Sequence, residues 1–150
     1  KNPNDAEGWY ALGRAYIAFG RLAEAEDALR KAVTQAPKDA RIIAQFAEAL
    51  ALRSGSLQGR PLELLTEALE IDPEEEKALE LSGLAAYQEE KWAEALHYWR
   101  RLLKKLPQGN ELHDAVSQAA RIAENKLAEK LSGTDVASLP EAKERKKSPH

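Results

Sequence analysis

The stretch Trp9–Pro37, WYALGRAYIAFGRLAEAEDALRKAVTQAP, decides the fold. Its Trp9, Leu12, Gly13, Tyr16, Gly20, Ala25, Leu29, Ala32 and Pro37 stand at the intervals of a helix-turn-helix hairpin, with large and very small side chains alternating. Small residues let two antiparallel helices approach closely while bulky ones fill the seam between them. Asn4 and Asp5 are placed to cap a first helix whose Trp9, Leu12, Tyr16 and Phe19 form one stripe at spacings of three and four. Gly20-Arg21 makes the turn, a second helix spans about Leu22 to Gln35, and Pro37 ends it. A hairpin of this kind cannot bury its apolar face alone, so the pattern must recur.

It recurs twice. Ile43, Phe46, Ala47 and Leu50 follow Trp9, Leu12, Gly13 and Tyr16 at an interval of 34, behind Asp39 as a cap. Ala32 to Ala68 and Pro37 to Pro73 are separated by 36 instead, so the turn Ser54-Gly55-Ser56-Leu57-Gln58-Gly59 carries two extra residues, and Pro61 suits the first turn of the helix after it. Leu79, Gly83, Ala95 and Trp99 continue the register 70 residues after the first hairpin, and Pro73 to Pro107 restores 34. Asp72 reads as the cap of this third hairpin, with Glu74, Glu75 and Glu76 at an electropositive helix start.

After Gly109-Asn110, Leu112, Val116, Ala119, Ala120, Ala123 and Leu127 share one helix face. Asp114, Gln118, Arg121, Glu124, Asn125 and Glu129 make the other, as suits a terminal helix that closes a stack with a wet outer side. The expected fold is an all-α solenoid: a domain over residues 1–131, with hairpins at about 6–39, 40–75 and 76–109 and a capping helix at 110–131. Residues 132–150 lack apolar periodicity and are expected to be a flexible tail, with at most one or two helical turns at Pro140–Arg145. The chain starts at Lys1 without Met, and Asn2-Pro3 resembles the end of an earlier element, so a longer polypeptide is expected.

A formal charge of −3, spread evenly, argues against nucleic acid or a membrane surface as partner, and no apolar run approaches the roughly 18–20 residues of a membrane span. The absence of cysteine excludes disulfides, thiolate zinc sites and a cysteine nucleophile. His97, His113 and His150 are never three or four residues apart, so no helical metal pair forms. The turn Ser54–Arg60 lacks Gly-Lys-Ser/Thr and follows a helix, which separates it from a phosphate loop. Trp9, Trp92 and Trp99 coincide with packing positions and read as core. No catalytic constellation emerges, and neither an enzyme nor a cofactor or metal is expected.

What remains is a surface. In stacked hairpins the first helix of each lines the concave side. Residues beside its buried stripe are Tyr10, Arg14 and Ile17; Arg41, Ala44, Glu48, Ala51 and Leu52; Lys77, Glu80, Leu84, Tyr87 and Gln88; with Asp114, Gln118 and Arg121 added by the cap. Tyr10, Ile17, Leu52, Leu84 and Tyr87 offer apolar contact to an amphipathic helix, while Arg14, Arg41, Lys77 and Arg121 suit acidic side chains or a terminal carboxylate.

Trp9, Leu12, Gly13, Tyr16, Ala25, Ala32 and Pro37 resemble the signature of the tetratricopeptide repeat, and the likeness extends over residues 6–107. A narrower resemblance lies in the second half. The inserted turn Ser54–Gly59, Ala78-Leu79 with Gly83, Ala95 with Trp99, and Leu102-Leu103 before Leu106-Pro107-Gln108-Gly109 are similar to the periplasmic domain of the apocytochrome chaperones of c-type cytochrome maturation, the CcmI/CycH/NrfG group. That resemblance implies a periplasmic, non-catalytic domain, in some members anchored by preceding membrane helices. It implies that the concave groove holds the C-terminal segment of apocytochrome c for the haem-ligation machinery. The two-carboxylate clamp of other repeat chaperones is not matched, because Tyr10 and Leu81 stand where that group carries basic residues. The alternative is a scaffold that joins components of a cell-envelope assembly through its outer faces.

Overall fold

The computed structural model describes the backbone of residues 5–138 and the side chains of residues 5–133. Seven helices follow one another: α1 (Ala6–Ala18), α2 (Leu22–Gln35), α3 (Ala40–Ser54), α4 (Arg60–Ile71), α5 (Glu76–Gln88), α6 (Trp92–Lys105) and α7 (Glu111–Ser138). No strand occurs among the described residues. The fold is an all-α tetratricopeptide-repeat solenoid. Helices α1/α2, α3/α4 and α5/α6 are the hairpins, each packs on the next, and α7 lies against α6.

Glycine explains how the outer hairpins close. A Cβ on Gly13 would lie 2.4 Å from Leu29 Cγ, and one on Gly83 would lie 2.2 Å from Trp99 Nε1, so only a bare backbone admits these side chains. The Trp99 indole is held there by donating its N–H to the carbonyl of Glu80 at 3.2 Å. Two apolar clusters result, one through the first two hairpins and one through α5, α6 and α7, with Leu69 packed against both.

The inserted turn is built from its own side chains. Ser54 Oγ accepts from the Ser56 N–H, and Ser56 Oγ from the Gln58 N–H, while Gly55 and Gly59 take positive φ of 82° and 83°. This geometry turns Leu57 inward, where it is 5% exposed. Asp39 caps α3 by accepting from the N–H groups of Arg41 and Ile42. The corresponding cap of α5 is Glu75, which accepts from the Ala78 N–H at 2.8 Å, and not Asp72 as expected. Asp72 ends α4 and accepts from the Glu74 N–H. Asp5 sits at the α1 N-cap without a side-chain bond.

Two further expectations are corrected. The stripe Trp9/Leu12/Tyr16/Phe19 is not uniformly buried: Leu12 is 39% and Phe19 77% exposed, because among the described residues no helix covers the outer side of α1. The capping helix does not stop at residue 131 but runs through Gly133 to Ser138. Its sequence holds no proline before Pro140, and one glycine costs a helix only about 1 kcal/mol. The rest of the expected tail, with the turns at Pro140–Arg145, lies outside the described residues. No helix among the described residues is long and apolar enough to cross a membrane.

Candidate functional site: the concave face

The 34- and 36-residue register aligns α1, α3 and α5 row by row. Glu7, Arg41 and Lys77 form one row, and Arg14, Glu48 and Leu84 another about two helical turns along. At the first end the face is charged. Arg41 pairs with Glu7 and with Asp39 and lies 4.3 Å from the Tyr10 ring centroid, which the Arg14 guanidinium also approaches at 5.6 Å. The bond to Glu7 holds the Arg41 guanidinium still more firmly in its protonated form. Lys77 bridges Glu48 at 3.2 Å and Glu80 at 3.8 Å, and Gln45 donates its amide N–H to Glu48. Burial pushes the Glu80 carboxyl above the usual carboxylate range, with Lys77 opposing and Glu48 adding to the shift.

These groups surround a concavity of about 410 Å³, which Tyr10, Arg14, Ile17, Arg41, Glu48, Lys77 and Glu80 line together with Leu112 from α7. Beyond Glu48 and Glu80 the face changes character. A second concavity of about 370 Å³ is lined by Ala51, Leu52, Leu57, Leu81, Leu84 and Gln88. Leu52 and Leu84 are 49% and 37% exposed, the largest apolar side chains open to solvent in this part of the surface. The concave face therefore has a polar compartment and an apolar one, divided by two carboxylates that line both.

Nine of the twelve groove candidates line these two compartments: Tyr10, Arg14, Ile17, Arg41, Glu48 and Lys77 the first, and Glu48 again with Leu52, Leu84 and Gln88 the second. Tyr10 is buried and forms floor, not wall. Tyr87 lines neither compartment: its ring packs 5.2 Å from Trp92 and 5.7 Å from Trp99, as part of the second core. Gln118 and Arg121 are exposed on α7 and line neither. Gln45, Leu57, Leu81 and Leu112 line the compartments without having been groove candidates. Leu57 had a signal, being the lone apolar residue in a Ser/Gly turn.

A wider trough of about 850 Å³ runs along the connector edge, between Ala36–Arg41 and Ile71–Glu76, with Lys105 at its end. Its acidic groups Asp39 and Glu75 are already engaged as helix caps, and Lys105 donates to the Glu74 carbonyl at 2.7 Å. The concave face is the better candidate because its groups project from rigid helices and fall into two chemically distinct compartments.

Hairpins in 34- and 36-residue register, the outer two closed on glycine, with first helices along a concave face, define a tetratricopeptide-repeat protein. A family described as the cytochrome c-type biogenesis protein H TPR domain matches residues 1–113, and the chain belongs to that family. It is 33% identical over 128 residues to the cytochrome c-type biogenesis protein CycH of Pseudomonas aeruginosa, covering 85% of this chain and 31% of that protein. With CcmH of Escherichia coli K12 it shares 34% identity over 117 residues, covering 77% and 33%. The chain thus spans about a third of the length of these curated relatives. Among solved structures, the first TPR of Spaghetti (RPAP3) bound to an HSP90 peptide superposes with a TM-score of 0.72 at 21% identity, covering 85% of this chain and 99% of that one. The Sgt2 TPR domain from Aspergillus fumigatus gives 0.70 at 22%, covering 83% and 80%. These structural likenesses speak to the fold.

Proposed function

We propose that this domain is a non-catalytic peptide holder of cytochrome c-type biogenesis, acting in the periplasm. Its concave face grips the C-terminal helical segment of apocytochrome c and presents the chain to the haem-ligation machinery. The observation that supports this reading is the division of the face into a charged and an apolar compartment, within a family whose members are named for cytochrome c-type biogenesis. An amphipathic helix laid along the groove sets its apolar side chains on Leu52, Leu57, Leu81 and Leu84, the helix-in-groove mode of recognition. At the other end Arg41 and Lys77 are occupied by Glu7, Asp39, Glu48 and Glu80, whereas Arg14 forms no ion pair among the described residues. Arg14 is the cation left for an acidic side chain or terminal carboxylate of the peptide. A preformed groove on packed helices keeps the ordering cost on the protein side small.

Calorimetric titration with C-terminal peptides of apocytochromes c tests the reading. Binding at micromolar concentration is expected, weakened at least tenfold by Leu84→Glu, whose side chain is exposed enough to change without unfolding the hairpin. No heat from any such peptide at high micromolar concentration would sink it. Intact cytochrome maturation in cells with the Leu52→Glu/Leu84→Glu protein would favour the scaffold reading instead.

A further inference from the structure

We propose that the occupant of the concave face carries a lysine or arginine one helical turn from a large apolar side chain, and that Glu48 and Glu80 select it by pairing with that cation. The proposal rests on the reading of this face as a peptide groove, and names the chemistry that the groove accepts.

The two carboxylates hold equivalent places on different helices. Glu48 precedes Leu52 by four residues on α3, and Glu80 precedes Leu84 by four on α5. Residues four apart stand one above the other on a helix, so each exposed leucine of the apolar compartment has a carboxylate one turn before it. The same two carboxylates line the polar compartment. Arg41 and Lys77 lie in the first turns of α3 and α5, and Leu52 and Leu84 toward their ends, so a ligand that fills both compartments runs along these helices. The span from Arg41 to Leu52 is about 16 Å, or three turns of a bound helix, and passes over both carboxylates.

At that crossing the groove is short of positive charge. Lys77 is the one cation paired with either carboxylate among the described residues, 3.2 Å from Glu48 and 3.8 Å from Glu80. A single ammonium cannot neutralise both. Arg41 is taken up by Glu7 and Asp39, while Glu75 and Glu76 line the same concavity. The side chains of Glu48 and Glu80 are 21% and 30% exposed, so water screens the surplus less than it would on an open surface. Burial raises the Glu80 carboxyl above its ordinary range, and the neighbouring Glu48 adds to the shift.

A ligand cation at this point relieves the surplus, and an acidic side chain adds to it. Lysine and arginine also suit the step between compartments, because their methylene stems lie along leucine while the charged head reaches a carboxylate. The leucines by themselves would accept many amphipathic helices. The carboxylate pair discriminates among them, by attraction to one charge and repulsion of the other.

The test titrates the 150-residue chain by calorimetry with three synthetic amphipathic helical peptides of about four turns. They are identical except at one position, a turn away from the central leucine of the apolar face, which holds lysine, glutamine or glutamate. The lysine peptide is expected to bind at least tenfold more tightly than the glutamate peptide, with glutamine between them, and the ratio to shrink as salt rises. In Glu48→Gln/Glu80→Gln the ratio should fall to within about twofold, and Lys77→Gln, which removes the resident competitor for the two carboxylates, should widen it. Equal affinity for the three peptides, a ratio that survives Glu48→Gln/Glu80→Gln, or one that Lys77→Gln leaves unchanged or narrows, overturns the proposal. So does the absence of binding by all three. The groove reading falls separately, when apocytochrome c peptides fail to bind.

Discussion

The first and third hairpins are closed in the same way and held very differently. In each, a glycine of the first helix receives a large side chain of the second, Leu29 at Gly13 and Trp99 at Gly83. The third hairpin is then covered on both sides: Trp99 is 3% and Leu96 1% exposed, the Tyr87 ring packs tilted against the indole and meets Trp92 edge-on, and α4 and α7 flank the pair. The first leaves Leu12 and Phe19 in solvent. Yet the first is the hairpin whose sequence follows the repeat pattern at every position. Agreement with the pattern thus reports how well two helices fit each other, whereas the hold on a hairpin within a stack depends on its neighbours.

The sharpest way to test this difference is to empty each hairpin in turn. Trp99→Ala is expected to cost about 3–5 kcal/mol in urea unfolding, a large part of the total stability of a domain this size, while Leu12→Ala should cost less than about 1 kcal/mol. Equal losses would mean that the first hairpin is covered in solution after all. Filling the seams gives the next effect. Gly83→Ala should destabilise by about 2–3 kcal/mol and Gly13→Ala by about half that, because a fused indole held by its hydrogen bond yields less readily than a leucine. If the order reverses in equilibrium unfolding, the seam itself and not its cover sets the hold.

A smaller effect separates the hairpins by charge. Arg41→Ala removes the ion pair with Glu7 and the cation above Tyr10, which link the first hairpin to the second, and should cost about 0.5–1 kcal/mol, less at high salt. Lys77→Ala works on the second and third hairpins alike and should leave α1 exchange unchanged.

The smallest expected effect is one of sign. Arg30 and Arg53 hold the Glu26 carboxyl below its ordinary value of 4.5, so its contribution is present above that value and is lost as pH falls through the lowered one. Burial raises Glu75 and Glu80 above 4.5, so in the folded state they bind protons more readily, and stability falls as pH rises from that value through the raised ones. Acidification should therefore loosen the first hairpin and not the third, as segment-resolved hydrogen exchange at pH 7 and pH 4 can read. Glu80→Gln should raise stability slightly at neutral pH, and Glu26→Gln should lower it.

The hairpins were legible because their information is local: a small residue opposite a large one at fixed spacing states its own partner. Even the cap at Glu75 was within reach, since it lies 36 residues after Asp39 in the same register as the prolines. The groove was legible only in outline. Tyr10 and Tyr87 stand at the margin of a helical stripe, where a rotation of a few tens of degrees decides between floor, core and wall, and that rotation is set by helices distant in sequence. Leu57 entered the groove through the conformation of an inserted turn, which no periodicity describes. The end of α7 was misplaced because Ser132-Gly133 permits a helix to stop without compelling it to.

Each substantial packing contact of α1 is with α2 or α3, and the stack passes from neighbour to neighbour. The groove consequently draws on all three hairpins, with Tyr10 and Arg14 from the first, Glu48 and Leu52 from the second and Lys77 and Leu84 from the third. A surface assembled that way keeps its shape only while neighbouring hairpins stay in register, so a change in one seam is felt along the whole face.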